Sequence, residues 1–170
     1  TYGGPEVLKV NEVQIPTPHE GEVLIKNRAA SATTADTMMR KGEPKFGRLF
    51  LGLKKPKNPY VGTGFAGVVS AVGPNVTRFK VGDEVYGETL FSLSASAEYV
   101  RVHAENDVIQ FKPKALSFEA AANVCDGMLT SYNFLVHLAQ IQPGQHICVV
   151  GASGSLGAAA VQIAKWKKAH

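Results

Sequence analysis

The sequence contains few cysteines and no long apolar stretch, and both deficits exclude classes of protein. Among its 170 residues only Cys125 and Cys148 are cysteines. Both lie in apolar sequence, which predicts two buried free thiols and no disulfide framework. No apolar run approaches the roughly 20 residues of a membrane helix, and no signal peptide precedes the first strand pattern. We therefore expect a cytoplasmic protein without a membrane partner.

The charge is only mildly unbalanced. Eighteen Lys and Arg residues against 14 Asp and Glu residues give a net charge of +4, so no nucleic-acid partner is expected. The densest basic stretch, residues 41–57, is interrupted by Gly and Pro and contains two aromatic residues, Phe46 and Phe50. This composition favours a solvated loop. A site for a ligand phosphate or for an acidic partner is the alternative.

Short apolar strands and turns alternate over the first hundred residues. Period-two alternation and β-branched residues predict five strands, separated by Gly, Pro and Asn turn residues. The predicted strands span residues 7–13, 23–28, 65–72, 81–86 and 97–102. Strands of this length at close spacing are typical of a small barrel or sandwich.

The pattern then becomes helical. Ser117 is predicted to cap a helix over residues 118–125, with Glu119 in the first turn, where the helix dipole favours a carboxylate. We expect Gly127 to interrupt the helix before a second one over residues 129–139.

A glycine-rich loop follows an apolar run. Residues 147–150 have the length and composition of a buried parallel strand. The loop and then a helix come directly after it, which is the context of a pyrophosphate-binding turn at a helix N-terminus. A glycine-rich turn without a ligand is the alternative. The predicted cofactor-binding residues of the loop are Gly151, Ala152, Ser153, Gly154, Ser155, Leu156 and Gly157. The predicted buried face of the helix is formed by Leu156, Ala160, Ile163 and Ala164.

Eight short motifs occur here in the order of a known superfamily. They are residues 2–8, 29–31 with Asp36, Arg40 and Gly42, 64–73, 81–85, 97–100, 116–121, 129–130, and 151–157. Through these motifs the sequence resembles the medium-chain dehydrogenase/reductase superfamily. The opening Tyr-Gly-Gly-Pro-Glu-Val-Leu resembles its zinc-independent quinone-oxidoreductase-like branch.

The resemblance implies two domains. Residues 1–118 would form a mainly β, partly open GroES-like barrel. Residues 119–170 would supply connecting helices and the first β-α unit of a truncated α/β Rossmann domain. The chain would then be a fragment of a longer polypeptide that forms a homodimer, and the fragment by itself would be inactive.

The resemblance also predicts that no metal is bound. Zinc-dependent members hold their catalytic ion with Cys and His side chains. At the corresponding places this chain has Thr33, Thr63 followed by Gly64, and Asp126. Two hydroxyls and one carboxylate do not supply the thiolate and imidazole ligands that suit a catalytic Zn²⁺.

Without a Lewis acid, hydride can be delivered only to an acceptor that is already electrophilic. The resemblance therefore implies reduction of a small quinone or α,β-unsaturated carbonyl by NADPH. NADH is the alternative, because the residue that distinguishes the two cofactors would lie beyond His170. A zinc-type alcohol dehydrogenase and a non-catalytic dinucleotide-binding protein are the competing hypotheses.

The catalytic residues remain open at this stage. Thr130 corresponds to a family threonine near the nicotinamide, and Thr33 would line the substrate cleft. For both, an ordinary hydrogen-bonded hydroxyl is the alternative. Asp36 and Arg40, four residues apart, are predicted to form a structural ion pair rather than an acid–base pair. Four apolar residues are expected either to line an apolar pocket or to pack in the core: Met38, Met39, Phe46 and Phe50.

Overall fold

The computed structural model describes residues 1–89 and 94–170. The chain divides into two compact units, Thr1–Ala122 and Asn123–His170. The helix Phe118–Ala122 belongs to the first unit because its alanines pack against Ala66 of the sheet.

The first unit is built on one antiparallel sheet. Its strands are β1 (Glu22–Ala30), β2 (Gly64–Val72), β3 (Glu84–Glu88), β4 (Tyr99–His103) and β5 (Val108–Phe111). They lie in the order β4-β1-β2-β3-β5, so β4 and β5 form the two edges and the sheet is partly open. The mainly β, partly open architecture that the resemblance implied for this part of the chain is thereby confirmed. The strand β5 was not predicted, since its four residues are too few to show a period.

Alternating residues of the inner strands form the main core. Val23 and Ile25 of β1 are completely buried and pair in register with Val72 and Val69 of β2. The same cluster contains Phe65, Phe79, Val85, Val100, Val102 and Ile109. The opposite face of β2 is covered at Ala66 by the helix at Phe118–Ala122. Both faces of β2 are therefore buried, which holds the sheet in one register.

Nine short helical elements complete the described chain. The α-helices are α1 (Thr34–Lys41), α2 (Arg48–Leu51), α3 (Phe118–Ala122), α4 (Thr130–Tyr132) and α5 (Ser155–Trp166). There are 3-10 turns at Pro5–Val7 and Lys45–Gly47, and π-helical turns at Cys125–Leu129 and Asn133–Leu138. The 3-10 and π turns differ from the α-helices in the spacing of their backbone hydrogen bonds. None of the helices described combines the length and apolar character that a membrane crossing demands.

The predicted strand over residues 7–13 is wrong. The chain forms a 3-10 turn at Pro5–Val7 and then runs outside the sheet. Alternation made this segment resemble a strand, but a strand also requires a neighbour for its N–H and C=O groups. Among the described residues β1 already has β2 and β4 as neighbours, and Leu8, Val10 and Val13 remain exposed.

The predicted buried strand over residues 147–150 is also wrong for the described structure. Cys148 is exposed, contrary to the expectation of a buried thiol, whereas Cys125 is buried as predicted. The second unit contains no other strand among its residues, so a parallel partner is lacking. The segment instead bonds to the end of the chain, where the Ile147 N–H donates to the His170 carbonyl at 2.7 Å.

Three smaller expectations also need correction. Gly127 does not interrupt the helix, because a π turn, Cys125–Leu129, carries the helical chain through it. In α5 the buried residues are Gly157, Ala159, Ile163 and Ala164. Leu156 is exposed, because the buried face is rotated from the predicted one. The strand predicted over residues 81–86 begins only at β3, after a turn in which the Asp83 N–H donates to the Lys80 carbonyl.

The cap of α3 generates a test. The Ser117 hydroxyl accepts a hydrogen bond from the Ala120 N–H at 3.2 Å, as the sequence predicted. The pKa of Glu119 lies below its ordinary value, first because its backbone N–H and then because the Ser117 hydroxyl stabilises the carboxylate. A carboxyl group whose pKa is lowered by folding stabilises the folded state at pH values above its ordinary pKa. That contribution is lost as the pH falls through the pKa of the folded state.

We expect Ser117→Ala to lower the free energy of unfolding by about 1 kcal/mol at neutral pH. The deficit should become smaller in acid, because a protonated Glu119 no longer benefits from the Ser117 hydroxyl. Urea unfolding at several pH values measures both effects. Ser117→Thr is the matched control, because it retains the capping hydroxyl. A deficit that does not change with pH would contradict the link to Glu119.

Candidate functional site

The glycine-rich loop lies at the N-terminus of α5, the longest helix described. Gly151 has a left-handed backbone with φ of 79°, and the Gly154 N–H donates to the Gly151 carbonyl at 3.1 Å, which closes the turn. Gly154 is the N-cap of α5 and provides no side-chain cap. The N–H groups of Ser155, Leu156 and Gly157 donate to no backbone carbonyl outside the helix among the residues described. These groups are therefore available to an anion.

The first and third glycines are required by the fold of the loop, whereas the second is not. A Cβ at Gly157 would collide with the Gly151 carbonyl oxygen and approach the Ala152 Cα to 2.7 Å. At Gly154 the nearest atom to such a Cβ is the Gly151 carbonyl oxygen, at 3.6 Å. The space above Gly154 is thus open, as the approach of a ligand to the backbone requires.

A preceding helical segment braces the loop. A Cβ at Gly127 would lie 2.6 Å from the Ser155 carbonyl oxygen, so only glycine permits this backbone contact. The hydroxyl of Ser131, which is buried, donates to the Leu156 carbonyl at 2.8 Å. Sequence analysis missed both residues. The only signal in the sequence was the small residue Ser131 four positions after Gly127. Its role could not be predicted, because it depends on a contact with Leu156, which is 25 positions away.

Thr130 stands next to Ser131 on this segment. It is half-buried, and its hydroxyl has no hydrogen-bond partner among the residues described. The alternative of a hydroxyl bonded back to a helix carbonyl therefore does not describe the structure. Thr130 thus has a free hydroxyl beside a segment that contacts the glycine loop.

Thr33 is the N-cap of α1. Its hydroxyl accepts a long hydrogen bond from the Asp36 N–H and lies 3.0 Å from Asp36 Oδ2, while its own N–H donates to that carboxylate at 2.7 Å. This is a complete capping box. The Thr33 hydroxyl is therefore engaged in the helix terminus.

The expected ion pair between Asp36 and Arg40 is not formed. The Asp36 carboxylate is turned to the cap, and Arg40 Nη1 donates to the Gly3 carbonyl at 2.7 Å. Spacing of four residues brings two side chains to one helix face, but here each has a nearer partner. The predicted structural role holds for both residues, through different contacts. Neither residue is placed for acid–base chemistry on the other.

The apolar residues suggested for a pocket or the core lie at the surface. Met38, Phe46 and Phe50 are exposed, and Met39 is half-buried. Two surface concavities in the first unit, with volumes of about 460 and 370 Å³, are lined around Arg78 and include none of the predicted site residues. Neither concavity therefore coincides with the candidate residues of the glycine loop or with the candidate hydroxyls.

The donor groups do not fit a zinc ion. The Thr33 hydroxyl is engaged in its cap, and the other two zinc positions of the family hold a hydroxyl, Thr63, and a carboxylate, Asp126, rather than thiolate or imidazole ligands. In the described parts of the chain, no cluster of three or more His, Cys, Asp or Glu residues has the geometry to hold a metal.

Comparison with known proteins places these features in a family. Residues 19–141 match the alcohol dehydrogenase GroES-like domain. Quinone oxidoreductase of Homo sapiens is 37% identical over 166 residues, which cover 96% of this chain and 47% of that protein. The chain belongs to the medium-chain dehydrogenase/reductase superfamily. Within this superfamily it resembles the quinone-oxidoreductase branch, as its first residues predicted.

Two solved structures of the superfamily agree with this assignment. The CurK enoyl reductase has a TM-score of 0.86 and 34% identity, over 99% of this chain and 50% of that one. The Escherichia coli quinone oxidoreductase complexed with NADPH has a TM-score of 0.82 and 32% identity, over 99% and 48%. This superfamily member thus spans about half the length of the relatives it matches.

The asymmetry of the glycines is testable. Gly157→Ala should lower the free energy of unfolding by about 1–3 kcal/mol, because the new methyl group overpacks against the loop. Gly154→Ala should cost less than about 1 kcal/mol, because its methyl group points into open space and only the N-cap preference is lost. Thermal unfolding of the two variants measures the difference. Equal losses would contradict the geometry of the loop.

The partners of Asp36 are testable by double-mutant cycles. We expect a coupling free energy of about 1 kcal/mol between Thr33 and Asp36, since both bonds of the capping box depend on the pair. Between Asp36 and Arg40 we expect no coupling beyond a few tenths of a kcal/mol. Thr33→Ala, Asp36→Ala and Arg40→Ala, singly and in pairs, supply the cycles. If Asp36 were coupled more strongly to Arg40 than to Thr33, the result would support an Asp36–Arg40 ion pair and contradict the capping contact.

Proposed function

We propose that the protein containing this chain is an NADPH-dependent oxidoreductase that delivers hydride, without a metal, to a quinone or an α,β-unsaturated carbonyl compound. The observation that carries the proposal is the glycine loop, which leaves its helix N–H groups unpaired and open space above Gly154. The relatives support it, because their names include quinone oxidoreductase, enoyl reductase and an NADPH complex.

The loop would hold the pyrophosphate of the dinucleotide. The N–H groups of Ser155, Leu156 and Gly157 supply hydrogen-bond donors, and the α5 dipole adds a partial positive charge. Gly127 and Ser131 keep these donors in place through their contacts with Ser155 and Leu156. The bound nicotinamide would supply the hydride. The described residues would supply binding and orientation.

Thr130 is the hydroxyl that we assign to the nicotinamide side of the site. Its support is a free hydroxyl on the segment that braces the loop, together with its match to the family motif. For Thr33 we propose a structural role, capping α1 on the substrate side, and no contact with the substrate. Its hydroxyl is already engaged 3.0 Å from Asp36 Oδ2. Proton delivery to the reduced acceptor is left to solvent.

An electrophilic acceptor follows from the donor chemistry at the family's zinc positions. Thr33, Thr63 and Asp126 do not form a competent ligand set, so an unactivated ketone would not be polarised. Quinones and conjugated enones accept hydride without such activation.

The proposal is tested with the full-length protein, by following nicotinamide absorbance with 1,4-benzoquinone and a short enal. We expect turnover with NADPH that a strong chelator does not change. Thr130→Val should lower kcat/KM by about tenfold, the equivalent of one lost hydrogen bond, while Thr33→Val should mainly lower stability. Gly154→Val should weaken NADPH binding measured by fluorescence titration.

Each outcome separates the hypotheses. Loss of turnover on chelation would overturn the metal-free mechanism and favour the zinc-type alcohol dehydrogenase. NADPH binding without turnover on either acceptor would favour the non-catalytic dinucleotide-binding protein. Turnover by the 170-residue chain alone would contradict the expectation that this piece is inactive.

A further inference from the structure

Residues 43–60 form a surface lobe that displays large apolar side chains to solvent. The lobe contains the 3-10 turn Lys45–Gly47 and the helix α2. Phe46 is 72% exposed and Phe50 is 79% exposed, and Leu49 and Leu53 are exposed to a similar degree. Phe46, Leu49 and Phe50 follow the spacing i, i+3 and i+4 across the 3-10 turn and α2, which places them on one face of this helical segment. Leu53 follows Gly52, where the helix has already ended. Within the described parts of the chain, the lobe therefore exposes an apolar surface formed mainly by Phe46, Leu49 and Phe50.

The lobe is held firmly by contacts at its base. Arg48 Nε donates to the Gly42 carbonyl at 2.9 Å, and its guanidinium group lies 4.6 Å from the centre of the Tyr2 ring. The Tyr2 hydroxyl donates to the Gly52 carbonyl at 2.6 Å. The Lys57 N–H closes the lobe on the Leu51 carbonyl at 2.7 Å. Phe46 and Phe50 are thus displayed on an anchored structure.

The positive charge of the chain is concentrated in this lobe. Its five cationic residues and one carboxylate, Glu43, give a net charge of +4, which is the net charge of the whole chain. The remaining residues carry thirteen charges of each sign and are neutral overall. Arg48 is used at the base. Four lysines remain exposed, with no ion pair to any carboxylate in the described residues: Lys45, Lys54, Lys55 and Lys57.

We propose that this lobe is a peripheral docking surface for an anionic lipid membrane. Aromatic and leucine side chains flanked by lysines are the combination with which interfacial segments enter the boundary between headgroups and acyl chains. Lysines attract anionic headgroups without a shaped pocket, because each is a point charge on a flexible stem. The two concavities described lie outside the lobe, so the proposed attraction rests on its lysines and exposed apolar side chains rather than on a shaped pocket.

This inference revises an expectation and does not depend on the proposed activity. Composition alone favoured a solvated loop and no membrane partner. The structure adds that Phe46, Leu49 and Phe50 of the same segment share an exposed helical face. A solvated loop explains the lysines but not an exposed cluster of this size. Contact with a membrane surface explains both.

Vesicle co-sedimentation of the full-length protein tests the proposal. The probes are phosphatidylcholine vesicles with and without phosphatidylglycerol. We expect binding only to the anionic vesicles, and weaker binding at high salt. K54Q/K55Q/K57Q should lower the partition coefficient roughly a hundredfold, about fivefold for each lysine. F46S/F50S should lower it at least about tenfold through lost apolar burial.

A matched control uses the other lysine cluster. K165Q/K167Q/K168Q removes the same charge from the end of α5 and should change the partition coefficient by less than about twofold, because those lysines lie outside the lobe. Circular dichroism melting of each variant establishes that it folds. NADPH oxidation by the lobe variants in the absence of vesicles should be unchanged, which separates this inference from the proposed activity.

Three outcomes would overturn the inference. The first is that the unchanged protein fails to sediment with anionic vesicles. The second is that the control triple loses as much binding as the lobe triple, which would make the attraction a property of net charge alone. The third is that F46S/F50S changes the molar mass in light scattering without vesicles, which would assign the apolar face to a second copy of the protein.

Discussion

The antiparallel pairing of β1 with β2 is the interaction on which the first unit depends. β1 lies between β2 and β4, and its register with β2 buries Val23 and Ile25 completely. Two irregularities in this register, at Leu24/Ile25 and Asn27/Ala29, bend and twist the strand, as β-bulges do. The pairing is extended by the Ser31 N–H, which donates to the Gly64 carbonyl at 3.0 Å. The capping box that begins α1 follows two residues later, so the sheet also positions α1 and the lobe after it.

The second unit depends on a contact between backbones. Because Gly127 has no side chain, the helical segment of Thr130 approaches Ser155 closely enough for Ser131 to bond to the start of α5. The glycine loop is thereby held from outside as well as by its own turn. A binding site made of backbone N–H groups gains from such support, because preorganised donors need not reorganise when an anion binds. The residues that brace the site are therefore as important to it as those that would touch the ligand.

The two surfaces inferred for anionic groups use different physics. At the glycine loop, directed N–H groups and a helix dipole would fix the position of the proposed pyrophosphate. On the lobe, flexible lysines attract negative charge without fixing its geometry, and the apolar side chains between them supply contact with acyl chains. A dinucleotide requires the first arrangement, and a lipid surface requires only the second. The same elementary attraction thus serves two purposes according to what surrounds it.

The sequence by itself determined those features that depend on neighbours in the chain. Four of the five strands of the sheet, the Ser117 cap, α5 and the order of the superfamily motifs followed from local period, turn residues and resemblance. Tertiary structure decided whatever required a partner from elsewhere. Residues 7–13 and 147–150 have the composition of strands, but a strand exists only where another offers hydrogen bonds. Asp36 and Arg40 have the spacing of an ion pair. In the structure, however, the Asp36 carboxylate accepts a hydrogen bond from the Thr33 N–H, and Arg40 donates to the Gly3 carbonyl. Phe46 is a large apolar residue of the kind that usually packs in a core. The contacts that anchor the lobe nevertheless leave it exposed, because burial depends on how the whole chain packs and not on local sequence.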